Sequence, residues 1–149
     1  MHQISINTRR RHRAVLRGRH GRSAVSLLLD THVLLWWLFD DPRLRAQTAQ
    51  VIDDSGADVV VSSVSGFEIA TKKTLGKLEA PDDLEAQLDE GGFTVLPLSL
   101  RHGLVAGALP MHHRDPFDRL LIAQAQCEGL TLVTADPALR QYDVGVLLA

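Results

Sequence analysis

The chain alternates short apolar runs with longer helix-like stretches, and several of the apolar runs are followed closely by a carboxylate. Leu27-Leu28-Leu29 is followed at once by Asp30, and Leu132-Val133-Thr134-Ala135 leads to Asp136. A run of this length bounded by a polar residue reads as a buried strand. Ser26–Asp30, Asp58–Ser62, Phe93–Leu96 and Thr131–Thr134 fit that pattern, with Val144–Leu148 as a fifth candidate. Helical stretches lie between them. One follows Thr31, which can cap it, and ends at Asp40-Asp41-Pro42, where a second runs to Asp54. Others start at Ser63 or Ser65, at Pro81-Asp82-Asp83, at Ser99 and at Pro116, the last ending at Gly129. Strands alternating with helices of these lengths predict an α/β fold: a single domain with a central parallel sheet of four to five strands, right-handed crossovers and flanking helices.

Length supports one self-sufficient domain. A single cysteine, Cys127, excludes an internal disulfide and fits a reducing compartment, the cytoplasm. No apolar run reaches membrane-spanning length, and no Cys/His spacing predicts a zinc site. The near-zero net charge hides an asymmetry. Arg9, Arg10, Arg11, Arg13, Arg17, Arg19 and Arg22 precede the first acid, Asp30. Without those seven, nine basic residues face eighteen acids, a balance of −9. The body is therefore no uniformly basic nucleic-acid platform. We expect residues 1–25 to form a basic, disordered arm without a catalytic role and residues 26–149 to form the domain.

In an open parallel sheet, residues at the C-terminal strand ends converge on one crevice. Asp30, Glu68, Asp118 and Asp136 are placed to do so. Clustered carboxylates repel one another unless a cation neutralises them, and hard oxygen donors suit Mg²⁺ or Mn²⁺. Each acid also has an ordinary structural role open to it. Asp30, Asp115 and Asp136 can cap helices, and Glu68 can pair with Lys72 four residues on. Of Asp115 and Asp118, three residues apart, Asp118 is the preferred metal ligand and Asp115 a cap, a supporting group or an alternative ligand. Lys72, Arg114 and Arg119 are candidates for holding substrate phosphate. His112-His113 reads as loop, and Trp36-Trp37 as core or partner surface. Phosphate-binding glycine loops, dinucleotide fingerprints and nucleophile elbows are all missing.

Four blocks together resemble a known family: Leu27-Leu28-Leu29-Asp30-Thr31-His32-Val33-Leu34-Leu35-Trp36, then Ser65-Gly66-Phe67-Glu68-Ile69-Ala70-Thr71-Lys72 with Leu75-Gly76-Lys77-Leu78, then His113-Arg114-Asp115-Pro116-Phe117-Asp118-Arg119-Leu120-Leu121-Ile122-Ala123-Gln124-Ala125, then Val133-Thr134-Ala135-Asp136. The ordered set resembles PIN-domain toxins of the VapC type across Ser26 to Leu148; the basic arm lies outside the pattern. The resemblance implies a Mg²⁺- or Mn²⁺-dependent ribonuclease, the toxin of a toxin–antitoxin pair. Asp30, Glu68 and Asp118 match the family's acidic triad and Asp136 its frequent fourth acid. Asp30 and Asp118 would bind metal directly, with Glu68 and Asp136 acting through water or positioning the nucleophile. A small cognate antitoxin and a homodimer are the implied partners. Trp36, Trp37, Leu38 and Phe39 offer an apolar docking surface near Asp30. Two other classes stay open: a non-catalytic PIN-like RNA-binding or regulatory module, and a metal-dependent phosphatase or DNA nuclease on a similar scaffold.

Overall fold

A computed structural model describes residues 25–54 and 56–149; the arginine-rich segment expected to be disordered lies outside the described residues. The elements run β1 (Val25–Leu29), α1 (Thr31–Leu38), α2 (Ala46–Asp53), β2 (Ala57–Ser62), α3 (Ser63–Thr74), α4 (Leu84–Glu90), β3 (Thr94–Leu96), α5 (Leu100–Ala108), α6 (Pro116–Glu128), β4 (Thr131–Thr134), a 3-10 turn (Pro137–Gln141) and β5 (Val146–Leu148). All strand pairs are parallel, in the order β3-β2-β1-β4-β5. The parallel α/β expectation therefore holds, with five strands.

Alternation along the strands divides the core in two. Leu27, Leu29, Val59, Val61 and Val133 point to one face, packing with Val33 and Leu34 of α1, Ile52 of α2 and Leu88 of α4. Leu28, Val60 and Leu132 point to the other, against Ala106 of α5 and Leu121, Ile122 and Ala125 of α6. Strands this apolar on both faces need helices on both sides, which the crossovers supply. Truncating one such fully buried leucine, for example Leu28→Ala, costs about 2–5 kcal/mol by loss of contact and cavity formation.

The chain leaves β1 toward β2 and β3, then returns through α5 and α6 to β4 on the other side of β1. Strand order thus reverses between β1 and β4, and a crevice opens beyond their C-terminal ends. Leu29 pairs with Val61 on one side and Val133 on the other, and the Asp30 N–H donates to Val133 O at 2.9 Å. The sheet therefore fixes the backbone of Asp30 at this switch point.

Several local details differ from expectation. Of the two caps open to α1, Asp30 is used and Thr31 is not, and α3 is capped by Ser62, not Ser63 or Ser65. The second helix begins at Ala46, after a turn. Trp37 and Leu38 are buried in the core, with the Trp37 ring edge-on to Phe93. They are not docking surface, because the apolar stripe of α1 faces the sheet. Trp36 and Phe39 are only partly buried and line an open cavity of about 540 Å³ with His32 and Leu78.

Candidate metal centre

Asp30 and Asp136 sit just beyond strand ends, Glu68 inside α3 and Asp118 in the first turn of α6. Asp30 caps α1, its Oδ1 accepting from Val33 N at 2.8 Å. The capping role and a place in the crevice thus coexist. Its residue is only 6% exposed. Burial pushes the carboxyl above its ordinary value. Hydrogen bonds from the Thr134 side chain and the Val33 backbone oppose the rise, and charge on Asp118 adds to it. That last influence ties β1 to α6 across the crevice.

Glu68 lies in α3, which begins directly at the end of β2, and is buried. Thr31 Oγ1 donates to its Oε1 at 2.6 Å and lies 3.0 Å from Ser65 Oγ. Lys72 Nζ donates to its Oε2 at 2.5 Å. Lys72, partly exposed, is pushed upward first by that hydrogen bond, and charge on Asp115 and Asp118 adds to the rise. The i,i+4 ion pair is real, and the lysine still faces the acidic crevice.

At the start of α6 the two aspartates divide their roles. Asp115 is the N-cap; its Oδ1 accepts from Phe117 N at 2.8 Å and Asp118 N at 3.3 Å. Asp118, one turn inside, is left to face the crevice. Burial raises its carboxyl above the ordinary value, the His113 hydrogen bond opposes this, and charge on Asp115 and on Glu68 adds to the rise. Asp136 follows β4 and caps the 3-10 turn through Oδ1, which accepts from Ala138 N at 2.9 Å. Its Oδ2 lies 3.9 Å from His113 Nε2.

His113, read from sequence as a loop residue, is at the centre of this group. Its Nε2 is 2.6 Å from Asp118 Oδ2, and His113, Asp118 and Asp136 each offer a ligand atom within 4.8 Å of the other two. A pair five residues apart across a loop has no sequence period to betray it. Thr31 and Thr134, which bond Glu68 and Asp30, were legible only as neighbours of strand ends.

Of the phosphate candidates, Arg114 is exposed beside the acids, and Lys72 lies at the crevice. Arg119 is a correction. It is 8% exposed, and its guanidinium donates to four backbone oxygens: Ala106 at 2.8 Å, Leu109 at 2.9 Å, Pro110 at 2.9 Å and His113 at 3.3 Å. It pins the α5–α6 connection and is not available to a substrate.

The donor set suits a divalent cation. The Asp30 and Asp118 carboxyls, raised chiefly by desolvation with charge on neighbouring acids adding to it, relax when a cation neutralises them, and three ligand atoms already cluster at the rim.

This fold is that of a known family: residues 27–145 match the PIN domain model, and the chain belongs to the PIN domain family. Among curated proteins, it is 28% identical over 120 residues to Ribonuclease VapC22 of Mycobacterium tuberculosis, covering 78% of this chain and 92% of that one. Similar solved structures include VapBC2 from Rickettsia felis bound to a DNA fragment from their promoter (TM-score 0.63, 15% identity, 83% of this chain and 98% of that chain). A toxin–antitoxin complex from Klebsiella pneumoniae gives a TM-score of 0.57 at 19% identity, covering 81% and 95%. FitAcB from Neisseria gonorrhoeae gives 0.54 at 18%, covering 81% and 96%.

Proposed function

We propose that the chain is a cytoplasmic Mg²⁺- or Mn²⁺-dependent endoribonuclease, the toxin of a toxin–antitoxin pair. The observation that carries this is the group of ligand atoms from His113, Asp118 and Asp136, all within 4.8 Å of one another, together with the buried Asp30 at the end of β1, at the switch point of a PIN-family sheet. The VapC22 ribonuclease and the toxin–antitoxin complexes among its relatives support the substrate and the partner.

Asp30 and Asp118 would hold the ion directly, with Glu68 and Asp136 as supporting acids. Such an ion, when bound, acidifies water and draws charge from a phosphodiester. Thr31 and Lys72 fix the Glu68 carboxylate in one orientation. Lys72 and Arg114 are placed to hold substrate phosphate beside the acids, as cations must where the crevice itself is anionic. The Asp115 cap sets the start of α6 and so the position of Asp118.

The antitoxin is a small protein whose Arg or Lys would enter the crevice and pair with these carboxylates in place of metal. We assign homodimerisation to the apolar residues left exposed around α5, namely Leu98, Leu100 and Leu104, at 47%, 81% and 67% exposure. Clustered exposed leucines of this size mark a contact surface.

Labelled single-stranded RNA, a DNA oligonucleotide and a phosphomonoester, each incubated with Mg²⁺ or Mn²⁺ and with EDTA, test the assignment. RNA cleavage abolished by EDTA is expected. Binding of RNA without cleavage would favour the non-catalytic module, and turnover of DNA or phosphomonoester alone would favour the other hydrolases.

A further inference from the structure

The chemistry above uses carboxylates, yet a nitrogen faces them. His113 Nε2 lies 2.6 Å from Asp118 Oδ2 and 3.9 Å from Asp136 Oδ2. The loop that carries it is held from both sides. The His113 N–H donates to Tyr142 Oη at 2.8 Å, and its carbonyl accepts from Arg119. Tyr142 Oη and Arg119 Nη1 also both donate to Pro110 O, each at 2.9 Å. Tyr142 and Arg119 are themselves buried. The imidazole is therefore aimed by packed side chains, while its own side chain stays 25% exposed, open to the crevice. Outer partners that orient a ligand in this way are a general feature of metal sites.

The spacing suits a six-coordinate ion. With bonds of about 2.1 Å, adjacent donors stand about 3.0 Å apart and opposite donors about 4.2 Å. The contact with Asp118 must open by a few tenths of an ångström; the separation from Asp136 already falls between the two values.

Resting on the metal-nuclease assignment, we propose that His113 Nε2 is a direct metal ligand beside Asp118 and brings Asp136, otherwise a supporting acid, onto the same ion, and that this nitrogen makes the centre select a first-row transition ion such as Mn²⁺ over Mg²⁺. Mg²⁺ keeps oxygen ligands and water and gains little from an imidazole, whereas transition ions gain from a nitrogen donor. An all-carboxylate centre has a weaker preference.

The test uses the full chain stripped of metal, titrated calorimetrically with Mn²⁺ alone and Mg²⁺ alone. The Mn²⁺-loaded protein is then examined by pulsed electron paramagnetic resonance for coupling to a ligand nitrogen. Wild type should bind Mn²⁺ at least about tenfold more tightly than Mg²⁺ and show the coupling, which changes on ¹⁵N-histidine labelling. His113→Asn should lose the coupling and at least about tenfold in Mn²⁺ affinity, with Mg²⁺ affinity changed far less. His112→Asn should keep the coupling. If His113→Asn fails to fold, the labelled wild type and His112→Asn still decide. Absence of nitrogen coupling in wild type, its persistence in His113→Asn, or equal losses for both ions would overturn the proposal. Mn²⁺-supported RNA cleavage without nitrogen coupling would refute the ligand assignment alone. Nitrogen-coupled Mn²⁺ without RNA cleavage would instead leave the ligand standing and remove the nuclease.

Discussion

Arg119→Met isolates what the buried guanidinium does. Three of its hydrogen bonds, to Ala106 O, Leu109 O and Pro110 O, are 2.8–2.9 Å long; the fourth, to His113 O, is marginal at 3.3 Å. A hydrogen bond from a charged donor contributes roughly 1.5–3 kcal/mol net. Three such bonds sum to about 4.5 kcal/mol or more. Methionine recovers some apolar packing, and the carbonyls nearest the partly exposed loop regain water. A net loss of about 3–4 kcal/mol follows, a large share of a typical 5–15 kcal/mol. For a domain of this size that lowers Tm by roughly 10–15 °C. Arg119→Lys should recover less than half, because one ammonium cannot fan across four carbonyls. Urea denaturation of the full chain, run beside single-stranded RNA binding, measures both effects. A loss below about 1 kcal/mol accompanied by a fall in RNA affinity of about tenfold would refute the structural role and restore Arg119 as a phosphate ligand.

The remaining expectations concern the acids and the α5 surface. Burial raises the Asp30 carboxyl above 3.8, so the stability this group contributes is fully present below that pH and lost as pH rises through the raised folded value. Asp30→Asn in EDTA should therefore melt above wild type near neutrality, the gap closing toward about pH 4; a gap independent of pH would contradict this. Asp118→Asn should lower RNA cleavage by about 10²-fold or more, whereas Asp115→Ala should mainly cost about 1 kcal/mol of stability through loss of the cap. The reverse pattern in cleavage assays would exchange their roles. Leu100→Glu combined with Leu104→Glu should convert dimer to monomer in light scattering without lowering the monomer's Tm by more than a few degrees; an unchanged mass would place the dimer contact elsewhere.

Strand positions and the parallel sheet, with Asp30 and Asp136 just beyond strand ends, were legible because they rest on local pattern: apolar runs and turn residues. What escaped depends on distant parts of the chain. Arg119 beside two aspartates looks like a phosphate ligand until α5 brings the carbonyls of Ala106 and Leu109 onto its guanidinium. Trp37, open to a core or a partner-surface reading, and Leu38 become core only where α1 turns them onto Phe93 and the sheet. His113 meets Asp118 only because Tyr142, twenty-nine residues later, anchors its loop. The caps of α1 and α3 were ambiguous because Asp30, Thr31, Ser62, Ser63 and Ser65 are all competent caps, and the strand ends, which decide among them, are set by pairing; those of α5 and α6, at Ser99 and Asp115, fell as expected.

In the proposed nuclease, acids from separate elements hold one divalent ion at the switch point of the sheet. Crystals of the full chain soaked in Mn²⁺ and measured at an anomalous wavelength test it most directly. A single strong peak, or a close pair, within about 2.2 Å of carboxylate oxygens of both Asp30 and Asp118 is predicted. Well-ordered Asp30 and Asp118 side chains with no anomalous density between them, at Mn²⁺ concentrations that support RNA cleavage, would contradict it.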